Sequence, residues 1–182
     1  MASWAHAETY VIDPAHSHVD FSVRHMMISH VPGSFHDFSG TIQFDPKDTT
    51  IWAVEVMIKT ASISTADSTR DKHLRSNDFF AADSFPTITF KSTKIIPKGS
   101  SKFDVIGNLT IRSVTKPVTL NAEMLGMIDD PRMGKRLGFA ATASIDRMYY
   151  GVSWNKTLEA GGLIVGHDVS VVLGVEAAMK KQ

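Results

Sequence analysis

Apolar and polar residues alternate along most of this chain with a period of two, the mark of strands that bury one face and wet the other. Val19, Phe21 and Val23 fall on one side of such a run, with His18, Asp20, Ser22 and Arg24 on the other. Val54, Val56 and Ile58 repeat the code against Glu55 and Lys59, and Ile88 and Phe90 repeat it against Thr89 and Lys91. Phe103, Val105, Leu109 and Ile111 carry it on, and Val118, Leu120, Ala122 and Met124 alternate with Thr119, Asn121 and Glu123. The last runs extend from Phe139 to Ile145 and from Val169 to Ala177. Turn-forming residues separate the runs at Pro32-Gly33, Asp45-Pro46, Pro97 to Ser101 and Asp129 to Gly134, each short enough for a hairpin. Glycines inside the strand patterns, Gly40, Gly107, Gly138 and Gly174, let a sheet bend. The pattern therefore predicts an all-β fold of consecutive antiparallel hairpins. A curved sheet with one apolar face buries that face, and loses its edges, by closing into a barrel.

One segment departs from alternation. Thr69 to Asn77 reads as a short helix, with Ser68 as N-cap and Asp71 three residues later in a capping-box-like position. Asp71 and Arg75 have the spacing of an i,i+4 ion pair. Leu74 is its one apolar residue and Phe79-Phe80 follow, so the segment is expected to cover an opening of the barrel.

Composition narrows the function. A chain of 182 residues with 43% hydrophobic and 21% charged residues has enough apolar surface for one ordinary domain, and no repeat or linker suggests a second. The expected division is a flexible segment over residues 1–8 and a barrel domain over 9–182. Nineteen basic residues balance nineteen acidic ones, so there is no net field to gather nucleic acid, and no nucleic-acid partner is expected. Without cysteine there is no disulfide framework and no thiolate chemistry. No run of residues has the length and apolarity of a transmembrane segment. Met1 to Glu8 lacks a signal-peptide apolar stretch, which favours the cytoplasm. Ala5-His6-Ala7 resembles the residues left of a signal-peptidase cut, which keeps a periplasmic parent as the alternative.

Two constellations invite chemistry. His16, His18 and Asp20 are two apart and would share the polar face of a strand at a spacing compatible with metal ligation, with His167 and Asp168 joining if the last strand closes on the first. A hydrogen-bonding surface feature explains the same residues more simply. Ser17 between two histidines suggests a hydrolase, but on a strand it points away from both, and no Gly-x-Ser-x-Gly elbow is present. No catalytic residue, metal or cofactor is therefore expected.

The run from Arg70 to Phe80 (RDKHLRSNDFF), followed by Phe85-Pro86-Thr87-Ile88-Thr89-Phe90, resembles the signature of the YceI-like family. Ile12 to Ser17, Phe21 to His25, Gly33 to Gly40, Gly107 to Ile111, Thr115 to Val118 and Arg147 to Gly151 extend the likeness from about Tyr10 to Val175. Ser113, Asn108 and Tyr149 depart from the family's usual residues. The resemblance implies an eight-stranded, lipocalin-like antiparallel barrel with a short helix near its mouth. It also implies that a polyisoprenoid or similar fatty-chain lipid lies in an elongated apolar tunnel, for transport, storage or sequestration. The alternative is a packed scaffold or stress-related interaction protein with no ligand, and behind it a metal-dependent or serine hydrolase.

On this reading the tunnel wall is the apolar face itself. It comprises Phe21 and Val23, then Val54, Val56 and Ile58, then Ile88 and Phe90. Phe103, Val105, Leu109 and Ile111 continue it, with Phe139 and Ile145, while Leu74, Phe79 and Phe80 come from the helical segment. Small inward residues at Gly107, Ala122, Ala141 and Ala143 leave room along the axis. Arg70, His73 and Arg75 are candidates to meet a lipid head group, against the simpler role of pairing with Asp71, Asp78 and Asp83. Met26-Met27 suit either the tunnel wall or a contact surface, and the resemblance makes a homodimer a reasonable assembly.

Overall fold

A computed structural model describes residues 7–159 and 161–180. Its strands are β1 (Glu8–Ile12), β2 (His18–His25), β3 (Ser29–Phe35), β4 (Phe38–Phe44), β5 (Ala53–Lys59), β6 (Ile63–Ser64), β7 (Thr87–Pro97), β8 (Lys102–Ile111), β9 (Val114–Asp130), β10 (Gly134–Asp146) and β11 (Val165–Met179). All pairings are antiparallel, in the order β1-β4-β5-β7-β8-β9-β10-β11-β2-β3-β6, and β1 also pairs with β11. β1 and β2 lie end to end along β11. β3 pairs with β2 and β4 with β1, while β6 pairs with β3 and β5 with β4. Three long strands are thus each interrupted once, and the eleven segments form an eight-stranded closed barrel.

The interruptions are fastened so that the wall bends without losing hydrogen bonds. Asp13 caps a 3-10 turn at Pro14–His16 by accepting from the Ala15 N–H. The His36 N–H donates to Ser62 O and the Lys59 N–H to Asp37 O, stitching neighbouring breaks side by side. Gly40 sits at such a close approach, since a Cβ there would lie 2.5 Å from the Glu55 carbonyl oxygen.

Four local expectations are corrected. Pro32 and Gly33 are not a turn but the middle of β3, where the absent Gly33 side chain makes room for the Phe21 ring tip from β2. The turn lies earlier, at His25 to Ile28, with Met26 and Met27 at its centre. The helix α1 spans Ser68–Arg75, one residue earlier than its polar pattern suggested at the start and two shorter at the end. Its N-cap is Asp67, whose carboxylate accepts from the Arg70 N–H and holds its own pKa below the ordinary range by that bond. Ser68 is therefore the first helical residue. The proposed Asp71–Arg75 pair does not form. Asp71 is buried and accepts from the Thr65 N–H and hydroxyl at 2.7 and 2.6 Å, while Arg75 donates to Ile63 O. Of the segment expected to be free, residues 1–6 lie outside the described residues, and Glu8 is paired in β1 with Phe44.

Buried apolar residues gather at two places. Tyr10, Ile42, Phe44, Leu137 and Ala177 form one cluster where β1 closes the barrel. Phe35, Ile63, Phe79, Ile88, Phe90, Tyr150 and Val152 belong to the other, which extends towards α1 and the β10–β11 connection.

Candidate ligand-binding cavity

The strand pleat sends every second side chain inward, yet many inward residues are only half-buried. Val54, Val56 and Ile58 on β5, Val118 and Leu120 on β9, and Val169, Val171 and Leu173 on β11 all keep accessible surface. In a solid interior these positions would be closed. Here their remaining surface faces a cavity of about 270 Å³ inside the barrel, and all of them line it.

The lining contains every apolar residue that alternation assigned to a tunnel wall: Phe21, Val23, Val54, Val56, Ile58, Ile88, Phe90, Phe103, Val105, Leu109, Ile111, Phe139 and Ile145, together with Leu74, Phe79 and Phe80. Ala122 and Ala141, register partners on β9 and β10, are its smallest members. Gly107 contributes no void, because the Phe90 ring lies over it, and Ala143 does not border the cavity.

Aromatic side chains bound the cavity near both ends. Trp52 packs against Phe44 and Phe103 at ring-centroid separations of 4.6 and 4.9 Å, and its indole N–H donates to Asp45 O. This places a cavity-lining indole beside the β1 closure. Near α1, Phe79 packs on Trp154 at 5.3 Å, and the His73 ring meets both edge-on at 5.0 Å.

Arg70, His73 and Arg75 do not border the cavity. Arg70 donates from Nε to the Thr65 hydroxyl and from Nη2 to Thr65 O, at 2.7 and 2.9 Å. With Asp71 bound to the same threonine, these contacts clamp the loop before α1. His73 Nε2 lies 2.7 Å from Asp78 Oδ2. All three side chains are thus occupied in fixing the helix over the barrel.

A different cation does touch the cavity. Arg147 is buried, and its guanidinium donates to the carbonyls of Gly166, Val152, Trp154 and Val165. Burial pulls its pKa below the usual arginine range. Its hydrogen bonds pin the β10–β11 connection against the barrel end. The sequence singles out this residue only within the Arg147 to Gly151 stretch of the family likeness, because its role depends on carbonyls that the fold brings from residues 152–166. Trp52 was missed as well, since it sits outside the alternating pattern.

The histidine-rich constellation does not assemble as its spacing suggested. His16 lies in the 3-10 turn, 3.0 Å from Asp13, while His18 lies 3.9 Å from Asp20. Asp13, His16 and Glu176 do come close enough to share an ion. The Arg136 guanidinium, however, already bridges the Asp13 and Glu176 carboxylates and supplies the positive charge. The Ser17 hydroxyl donates to Glu176 O and accepts from the Glu176 N–H, so it acts as a link between strands.

Residues 10–177 match the YceI-like domain model. The chain belongs to the YceI-like family. Protein YceI of Salmonella newport is 40% identical over 177 residues, covering 96% of this chain and 89% of that protein. The crystal structure of BcnA from Burkholderia cenocepacia is 25% identical, covers 92% of this chain and 99% of its own, and superposes with a TM-score of 0.81. A Saccharophagus degradans domain described as polyisoprenoid-binding and implicated in plant cell wall breakdown shares the fold at 16% identity and a TM-score of 0.67, with 94% of this chain and 98% of that chain covered.

Proposed function

We propose that this YceI-like barrel binds a long-chain isoprenoid or similar amphiphilic lipid in its interior and transports, stores or sequesters it, without chemical conversion. The observation that carries this reading is the apolar cavity, whose wall side chains keep surface exposed to the hollow. Each methylene that leaves water for such a space contributes about 0.8 kcal/mol, less the cost of association. A slender chain many carbons long can therefore bind tightly with few polar contacts. The likeness to a domain described as polyisoprenoid-binding supports the ligand class. Arg147 already spends its donors on backbone carbonyls, which favours recognition by length and girth over recognition by charge.

The test is a titration of delipidated protein with a fluorescent polyene fatty acid, followed by displacement with polyprenols of increasing length. Saturable one-to-one uptake and displacement that strengthens with chain length support the proposal. No uptake by folded, delipidated protein would leave the packed-scaffold reading in its place.

A further inference from the structure

The turn between β2 and β3 carries three consecutive apolar residues at its tip. Met26, Met27 and Ile28 are 41%, 47% and 85% exposed. Met26 and Met27 have φ of +48° and +64°, and the Ile28 N–H donates to His25 O, closing a turn with both central residues left-handed. Both φ values are those of a I′ turn, a left-handed pair that Asn-Gly and Asp-Gly fill without strain and that bulky L residues fill at a cost. The tip is nonetheless held firmly. Arg24 donates from Nε and Nη2 to Met27 O, and the Met26 N–H donates to Ile164 O. Neither stability nor solubility accounts for large apolar side chains in a conformation that suits small polar ones, and such strain points to function.

The tip also adjoins the cavity wall. Val23 and Val165 line the cavity, and Val165 is the register partner of His25. Between that pair and Val169↔Val23, β11 advances four residues while β2 advances two, so the ladder is interrupted beside the tip.

We infer that this tip docks on a lipid bilayer surface, where the barrel takes up or releases its cargo. The inference rests on the lipid-carrier reading for its purpose but not for its measurement. Three side chains expose on the order of a few hundred Å² of apolar surface, well below the ~800 Å² per partner of a stable dimer. That area is enough for shallow insertion among lipid acyl chains. The charge at the tip suits anionic lipid, since the Arg24 guanidinium holds the Met27 carbonyl, while in the neighbouring β10–β11 connection the Lys156 ammonium lies over the Trp154 ring and Glu159 is the acid.

The test compares wild type with the double variant Met26→Asn/Met27→Gly in flotation with phosphatidylcholine vesicles containing phosphatidylglycerol, on delipidated protein. The double variant places preferred residues in the turn, so it should melt at the same temperature or higher and still take up the fluorescent polyene. Its vesicle affinity should fall at least about tenfold. Ile28→Glu, at the most exposed of the three positions, provides a second variant with the same expected loss and no demand on turn geometry. The inference is overturned if wild-type protein does not float with vesicles, or if the variants float as well as wild type. It is also overturned if the variants change only the oligomeric state in light scattering, which would make a second copy the occupant. Polyene uptake in the same samples separates this outcome from failure of the carrier reading, because a barrel can bind its ligand without docking through this tip.

Discussion

Placing a phenyl ring inside the barrel separates a hollow interior from a filled one by the sign of the result. Ala141 on β10 lines the cavity, with Ala122 and Leu173 as its neighbours across the sheet. Ala141→Phe adds about 100 Å³ of side chain to a close-packed interior scale, a substantial part of a cavity of about 270 Å³. If that space is empty, the ring buries its own apolar surface and stabilises delipidated protein by about 2 kcal/mol. For a chain of this length the melting temperature would rise by roughly 5 °C. The same ring excludes about four methylenes of ligand, worth about 3 kcal/mol, so the Kd for a polyene should weaken by about two orders of magnitude. In a filled core the substitution would instead overpack and cost about 1–3 kcal/mol. Thermal melting of delipidated protein and a polyene titration read both quantities. A lower melting temperature together with unchanged binding would refute the hollow.

Further outcomes follow from the surroundings of the cavity. Asp71→Ala should destabilise the protein by about 2–4 kcal/mol in a denaturant titration, because it strands the buried Thr65 N–H and hydroxyl. Arg70→Ala should lower the melting temperature while leaving polyene affinity within about twofold, a threshold well under 1 kcal/mol. Unchanged melting with lost affinity would make Arg70 a head-group contact after all. Hydrogen bonds from Lys135 and Tyr10 hold the Glu8 carboxyl below the ordinary carboxylate range. A depressed carboxylate contributes stability above its unfolded pKa and loses it as pH falls through the folded value. Stability should therefore decline below about pH 4, and Glu8→Gln should flatten that decline in melts across pH. Trp52 touches the cavity, so saturating ligand should shift its emission, and Trp52→Phe should remove that change.

How much of this was legible in the sequence depended on whether the cause was local. Alternation identified the inward faces of β2, β5, β7, β8, β9 and β10, because the pleat fixes side-chain direction whatever the neighbouring strand. It could not tell a filled barrel from a hollow one, since Val54 reads the same whether it meets a neighbour or a void. The Pro32-Gly33 expectation failed for a tertiary reason: the gap at Gly33 is filled by Phe21 from the adjacent strand. The true turn was hidden because Met26-Met27 carries none of the usual turn residues. Ser68 was outcompeted as N-cap by Asp67, one residue earlier. The basic residues of α1 looked like a head-group site because their partners, Thr65 and Ile63, are set by how the loop folds back. Arg147 remained obscure for the same reason, as its partners are carbonyls with no signature of their own.

Native mass spectrometry of protein purified without detergent from its own host, followed by solvent extraction, tests the hollow barrel most directly. A carrier should release one apolar chain per protomer, and delipidated protein should take the chain back in equal amount. Folded protein that carries no lipid and regains none when the extract is returned would contradict it.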